Sequence, residues 1–198
     1  HSGQKPLRVV YGSLRFNAKS NDDPMTENQV QKRNRGTIWR GARLGLAMAC
    51  FAMPLHAQQD ETIVDVQQYD NGGLYEGEFR NGVQNGQGTY RLPNGYEYSG
   101  EWVDGEIRGQ GRAVFPDGSV YEGSFIAGQP EGYGMIAFAD GSTYEGEWLG
   151  GRINGSGIAY YSNGVSYEGD FLNALHHGQG ILINPDGYRY EGPWINGL

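Results

Sequence analysis

Cysteine is almost absent from this sequence of 198 residues, because Cys50 is the only one. A single cysteine cannot form a disulfide within its own chain, and it cannot supply the several thiolates of a structural zinc site. The sequence therefore predicts a fold that is stabilised without disulfides and without a Cys-based metal site.

Basic residues are scarce in most of the chain. Residues 58–198 contain six arginines and no lysine against twenty Asp and Glu, which gives this part a formal charge of −14. The phosphates of nucleic acids and the head groups of anionic lipids both attract clustered Lys and Arg. We therefore expect no nucleic-acid partner, and the charge disfavours a membrane surface as partner without excluding it.

The apolar run at residues 44–55 has twelve residues, too few to span a bilayer, which needs about 20. Residues 32–43 before this run carry five basic side chains, and Ala57 follows it. A basic region, a short apolar region and a small residue are the three parts of a secretory signal. We therefore predict that residues 25–57 are a signal peptide, cleaved after Ala57, which directs the protein to the periplasm or the extracellular space.

Three other interpretations of this segment stay open: an uncleaved anchor, a basic cytosolic tail, and a lipoprotein acylated at Cys50. Residues 1–24 precede the first methionine and show no periodicity. They are set apart as an unassigned leader, either upstream read-through or the boundary of a fragment.

Glycine and tyrosine are abundant instead, with 34 and 14 copies. They belong to a motif whose starts are 23 residues apart. The motif is YEGEF at Tyr75, YSGEW at Tyr98, YEGSF at Tyr121, YEGEW at Tyr144, YEGDF at Tyr167 and YEGPW at Tyr190. An internal repeat of this length predicts an architecture of stacked units.

Glycines keep the same register in every unit. Those inside the motif, which we expect to have a structural role, are Gly77, Gly100, Gly123, Gly146, Gly169 and Gly192. Three units carry Pro-Asx-Gly between two strand-like segments, as at residues 93–95. Proline, Asx and glycine at these places favour a hairpin connection made of a type I turn with a glycine bulge.

Each unit alternates between two kinds of side chain. In the first motif the aromatic residues and the glycine point one way and the carboxylates point the other way. A second strand follows at residues 86–92, so each unit is one antiparallel hairpin. A single hairpin is marginally stable in water, whereas stacked hairpins bury one another's aromatic rings.

The predicted fold is therefore all-β: an elongated single-layer antiparallel sheet of tandem 23-residue β-hairpin repeats. Residues 58–74 form a linker and an N-terminal half-repeat. Residues 75–198 form five full units and a partial sixth.

The repeated unit YEGEW-x-x-G-x-x-x-G-x-G, followed by Asx-Gly, resembles the MORN (membrane occupation and recognition nexus) repeat. The resemblance covers roughly residues 63–198, and His177 stands where the family often has histidine. It implies a twisted sheet of hairpins and non-catalytic roles: partner docking, self-association, and contact with membranes or phosphoinositide head groups. The secretory signal departs from the best-known members, which are intracellular eukaryotic proteins, and favours an exported bacterial protein.

Two aromatic residues in every unit form a candidate binding row. This aromatic row consists of Tyr75, Phe79, Tyr98, Trp102, Tyr121, Phe125, Tyr144, Trp148, Tyr167, Phe171, Tyr190 and Trp194. Such rings form the core of the repeat, or they line an exposed groove that grips a peptide, a glycan or a second copy of the chain.

No catalytic residue, metal site or cofactor is expected. The chain lacks a G-x-S-x-G elbow, a P-loop and a G-x-G-x-x-G motif. His176 and His177 are adjacent, so on a strand they point to opposite faces and cannot share a metal. Equivalent carboxylates of neighbouring units lie about 10 Å apart, too far to share a calcium ion, so they are expected to form a solvated acidic face.

The sequence predicts a non-catalytic scaffold that binds a protein partner, or a second copy of itself, through the aromatic face of the sheet. The alternatives are a phospholipid-binding module at a membrane surface and a glycan-binding ribbon.

Overall fold

A computed structural model describes residues 61–198, which form one antiparallel sheet of twelve strands in sequential order. The predicted leader and signal peptide lie outside these residues. The all-β prediction of tandem hairpins is confirmed. The strands are β1 (Thr62–Gln68), β2 (Leu74–Arg80), β3 (Val83–Arg91), β4 (Glu97–Val103), β5 (Glu106–Val114), β6 (Val120–Ile126), β7 (Gln129–Ala137), β8 (Thr143–Leu149), β9 (Arg152–Tyr160), β10 (Ser166–Leu172), β11 (Leu175–Ile183) and β12 (Arg189–Trp194).

Two kinds of turn alternate along the sheet. Asn81 and Gly82 join β2 to β3 with φ angles of 53° and 79°, and positive φ at both central residues is typical of a type I′ hairpin. The Pro-Asn-Gly turn joins β3 to β4, with Gly95 at φ 93° and its N–H donating to the Leu92 carbonyl at 3.1 Å. This left-handed glycine matches the turn predicted from Pro-Asx-Gly.

Each unit contains a β-bulge. The pairing of β2 with β3 shifts register between Gly77 and Phe79, and Gly86 opposite them has a φ of 113°. The prediction that the second strand starts at Gly86 was wrong, because β3 already starts at Val83. The bulge interrupts the two-residue alternation, which hides the first residues of the strand from a pattern search.

The core lies on one face of this single sheet. Within each unit the tyrosine ring lies flat over two glycines that pair across the hairpin. In the first unit these are Gly77 and Gly88. A Cβ added to Gly88 would stand 2.2 Å from the Tyr75 Oη, so the ring has room only because this residue is glycine. The hydroxyl donates to the Glu78 carbonyl at 2.9 Å. The same hydrogen bond recurs at Tyr98, Tyr121, Tyr144, Tyr167 and Tyr190.

Edge-to-face ring contacts join each unit to the next. The tyrosine of one unit packs against the Phe or Trp of the following unit, with centroids 4.9–5.4 Å apart, within the range that favours aromatic pairs. These pairs are Tyr75–Trp102, Tyr98–Phe125, Tyr121–Trp148, Tyr144–Phe171 and Tyr167–Trp194. The core is therefore continuous along the ribbon, as in other repeat proteins.

Candidate binding surfaces

The aromatic row is core over most of its length. The ten rings from Tyr75 to Phe171 are each at most 5% exposed. Tyr190 and Trp194, in the terminal strand β12, are partly exposed. Of the two roles that the sequence left open for this row, core packing accounts for those ten rings, and only the last pair presents ring surface to a partner.

The five buried tyrosine hydroxyls of the row, from Tyr75 to Tyr167, are held as neutral hydrogen-bond donors. Burial raises the pKa of Tyr75, Tyr121 and Tyr167 to about 12 from the usual value of 10. Burial also raises the pKa of Tyr98 and Tyr144. These phenols stay protonated at physiological pH, so their role is to fix the ring on the backbone rather than to transfer protons.

Where the row ends, an open hollow of about 320 Å³ lies on the same face. Apolar and aromatic side chains line it: Leu182, Tyr188, Tyr190, Trp194 and Leu198. In this hollow two rings of the row, Tyr190 and Trp194, are accessible to solvent.

His176 belongs to the core rather than to a metal or acid–base site. Its ring stacks on Tyr167 with centroids 3.6 Å apart, and Nε2 lies 2.7 Å from the Tyr161 hydroxyl. Burial lowers the pKa of the imidazole to about 4 from the usual 6.5. The first unit places Gln84 at this position and the next three place Ile107, Pro130 and Ile153, so the histidine stands where those three units have a buried apolar residue.

The carboxylates divide into two rows with different roles. The row nearer to the bulges, which we call the bulge carboxylates, consists of Glu78, Glu101, Glu147 and Asp170. Glu147 accepts a hydrogen bond from the Ser156 N–H at 3.1 Å, and Asp170 accepts one from the Gln179 N–H at 3.1 Å. Glu147 and Asp170 therefore satisfy backbone N–H groups beside the bulges of their hairpins, and Glu147 does so while it stays exposed to solvent, as the acidic face was expected to be.

Replacing Glu147 with alanine leaves the Ser156 N–H without its partner, and we expect a loss of about 1 kcal/mol in the free energy of unfolding. Replacing the exposed Glu145 with alanine should change it by less than about 0.5 kcal/mol. Urea titrations of both variants give the comparison, and equal losses would contradict the assignment.

On the outer face, opposite the aromatic row, arginines pair with the carboxylates in the first half of the ribbon but not on the strands from β7 to β11. In the first half of the ribbon Arg91 bridges Glu97 at 2.9 Å and Glu76 at 3.6 Å, and Arg112 bridges Glu122 at 3.1 Å. On the strands from β7 to β11 the only Lys or Arg is Arg152, at a hairpin end, where it donates a hydrogen bond to Asn173. The carboxylates of that half are therefore not balanced by arginine.

Residues 61–198 contain no group of three or more His, Cys, Asp or Glu side chains placed to hold a metal ion. Among the same residues there is no helix long and apolar enough to cross a membrane.

Five segments of the chain match the family model described as MORN repeat: residues 75–95, 98–120, 121–143, 144–166 and 167–187. Together they cover more than half of the sequence and coincide with the hairpin units. The chain belongs to the MORN repeat family. A search of curated proteins gave no match.

Among solved structures, this MORN repeat protein is similar to two domains at 14% sequence identity. One is the SAS-4 (dCPAP) TCP domain of Drosophila melanogaster in complex with a proline-rich motif of Ana2 (dSTIL), with a TM-score of 0.36 over 77% of this chain and 98% of that one. The other is the G-box domain of the microcephaly protein CPAP, with a TM-score of 0.37 over 66% of this chain and 74% of that one. At TM-scores this low, neither likeness supports a conclusion about this protein.

Proposed function

We propose that this MORN repeat protein is a non-catalytic scaffold that docks a protein partner along its ribbon. The observation that carries the proposal is the difference in solvent exposure between the two faces of the sheet. One face is closed by the packed aromatic row, and the other is open from β1 to β12. With strands about 4.8 Å apart, twelve strands offer a continuous surface about 50 Å long.

The partner surface differs from the one that the sequence favoured. An aromatic groove is not available from Tyr75 to Phe171 because those rings are buried. The open face carries exposed apolar side chains at Tyr133, Met135 and Tyr160, and exposed apolar area of this kind is typical of interaction surfaces. Self-association through the terminal hollow is the alternative use of the aromatic face.

Photo-crosslinking tests the proposal. A photoreactive residue placed at Val66, Val114 or Tyr160 samples three positions along the outer face. We expect discrete adducts with one partner protein at one or more of these positions, reproduced with that partner after purification. Adducts of twice the chain mass at these positions would support self-association instead, and the lack of any adduct would contradict docking on this face.

Lipid binding is expected to fail. Four of the six arginines in residues 58–198 form ion pairs with glutamates, namely Arg91, Arg108, Arg112 and Arg189, so no cluster of free cations faces solvent. A fragment of residues 58–198 should stay in the supernatant with both anionic and neutral vesicles at low salt. Pelleting with anionic vesicles alone would contradict this prediction and would direct mutagenesis to Arg108, Arg112 and Arg152.

Export is part of the proposal. The basic region, the apolar run at residues 44–55 and Ala57 support cleavage of a signal peptide. N-terminal sequencing of the protein recovered from the periplasm or medium should begin at Gln58. Retention of the full chain in the cytosol would exclude export, and a lipid-modified Cys50 would favour the lipoprotein interpretation.

A further inference from the structure

We infer that the outer face of β7–β11 binds a basic, aliphatic segment of a partner protein in an extended conformation. This inference rests on the proposed docking function and specifies the place and the chemistry of the contact.

The observation is a row of side chains that crosses the strands near the middle of each one, which we call the mixed row. Along it, one acidic residue alternates with one apolar residue on successive strands, fixed by the strand register. In order from β6 to β12 the mixed row is Glu122, Met135, Glu145, Ile158, Glu168, Ile181 and Glu191.

The two ends of the mixed row are neutralised, and its centre is not. Glu122 pairs with Arg112, and Glu191 pairs with Arg189. Glu145 accepts a hydrogen bond from the Tyr133 hydroxyl at 2.9 Å, which leaves its negative charge uncompensated. No cation of residues 61–198 pairs with Glu168.

Exposed apolar side chains lie beside Glu145 and Glu168 on the same face of the sheet. Met135 is 43% exposed, and on the adjacent row Tyr160 is 59% and Ile183 is 43% exposed. Aliphatic side chains and carboxylates therefore alternate over the five strands. An arginine or lysine neighboured by aliphatic residues satisfies both kinds of group, because its head binds a carboxylate while its stem covers apolar surface.

The strand spacing sets the spacing of the cations. Glu145 lies on β8 and Glu168 on β10, so they are separated by two strand intervals, about 9.6 Å. A polyproline II chain advances about 3.1 Å per residue and an extended strand about 3.3 Å, so either reaches that distance every third residue. The segment that fits the row therefore has a basic residue at every third position and aliphatic residues between.

A labelled 15-residue peptide with the repeat Lys-Leu-Pro is the probe, titrated against the full-length chain by fluorescence anisotropy at low salt. We expect saturable binding that weakens with added salt. Peptides with Glu-Leu-Pro or Lys-Ser-Pro repeats should bind at least fivefold more weakly. The first lacks the basic side chain that pairs with the carboxylates, and the second lacks the aliphatic side chain that covers the apolar surface.

Two matched double variants locate the contact. E145Q/E168Q removes the uncompensated charges and should weaken binding of the Lys-Leu-Pro peptide about five- to tenfold. E76Q/E97Q removes the same formal charge from the part of the face that Arg91 neutralises, and should change the affinity less than twofold. Circular dichroism of both variants should match that of the unaltered chain, since all four side chains are solvent-facing.

Equal losses in the two variants would show attraction to net charge alone and would overturn the inference, as would binding of the Lys-Ser-Pro peptide with undiminished affinity. A partner found by crosslinking that binds E145Q/E168Q as tightly as the unaltered chain would also overturn it. In that last case the partner still supports the proposed docking function, and only the assignment of the contact to β7–β11 and to a basic, aliphatic segment is rejected.

Discussion

Replacing Gly146 with alanine is expected to lower the stability of the ribbon by about 3–5 kcal/mol, an effect at the upper end of single substitutions. The new Cβ would stand 2.4 Å from the Tyr144 Oη, 2.5 Å from the Ser156 carbonyl oxygen and 2.6 Å from the Gly157 Cα. The last two atoms belong to the neighbouring backbone. Relief therefore requires β8 and β9 to separate, which breaks the hairpin that carries the fourth repeat.

Gly128 offers the matched control. An alanine Cβ there meets nothing within 4 Å, and the strain comes only from its φ of 75°, which costs about 1–2 kcal/mol. Repeat proteins lose strict cooperativity, so the denaturation midpoint, followed by tryptophan fluorescence, is the quantity to compare. Equal shifts for G146A and G128A would contradict a cost of close approach at Gly146, because Gly146, unlike Gly128, has no left-handed φ that an alanine would strain.

The repeat unit could be predicted from sequence because its signals are local. A 23-residue period, a two-residue alternation from Tyr75 to Phe79 and a Pro-Asx-Gly turn each depend on neighbours in the chain. Their agreement leads to hairpins stacked in order, and the twelve sequential strands confirm it.

The depth of burial could not be predicted in the same way. A single-layer sheet leaves each face open to solvent unless its side chains cover one another. The tyrosine rings are buried because each lies on paired glycines of its own unit and against a ring of the next, as Tyr98 does with Gly111 and Phe125. That contact depends on the orientation of the ring and on the stacking distance, which residue types alone do not specify.

The two carboxylate rows were also indistinguishable by sequence. Glu145 and Glu147 are two residues apart and alternate identically with the aromatic side. What separates them is the bulge in β9, which turns the Ser156 N–H toward Glu147, whereas Glu145 accepts a hydrogen bond from the Tyr133 side chain on β7. In the third unit Ser124 replaces the bulge carboxylate. This difference between units could have indicated a separate role for the position, but the role itself depends on the backbone geometry of the bulge.

Acid is expected to weaken the C-terminal end of the ribbon through His176. The imidazole is 9% exposed and is packed among Tyr161, Tyr167, Phe171 and Trp194. None of these neighbours carries a charge that would stabilise imidazolium. The folded-state pKa of about 4 therefore lies below the unfolded value of about 6.5.

The sign of the pH effect follows from these two values. Well above pH 6.5 the imidazole is neutral in both the folded and the unfolded chain, so its titration does not change the free energy of unfolding. As the pH falls from 6.5 toward 4, the unfolded chain takes up a proton that the folded chain does not bind, so the free energy of unfolding falls by about 3 kcal/mol. Units before the fifth have no histidine in this place, so the loss should be concentrated in β10–β12.

The variant His176→Ile, which copies Ile153 of the preceding unit, separates this effect from the titration of surface carboxylates. Denaturation midpoints at pH 7.5 and pH 4.5, followed by tryptophan fluorescence, should differ more for the unaltered chain than for the variant. Hydrogen exchange should show faster opening of β11 and β12 at the lower pH in the unaltered chain alone. If both proteins lose the same stability between the two pH values, the carboxylates rather than His176 control the response to acid.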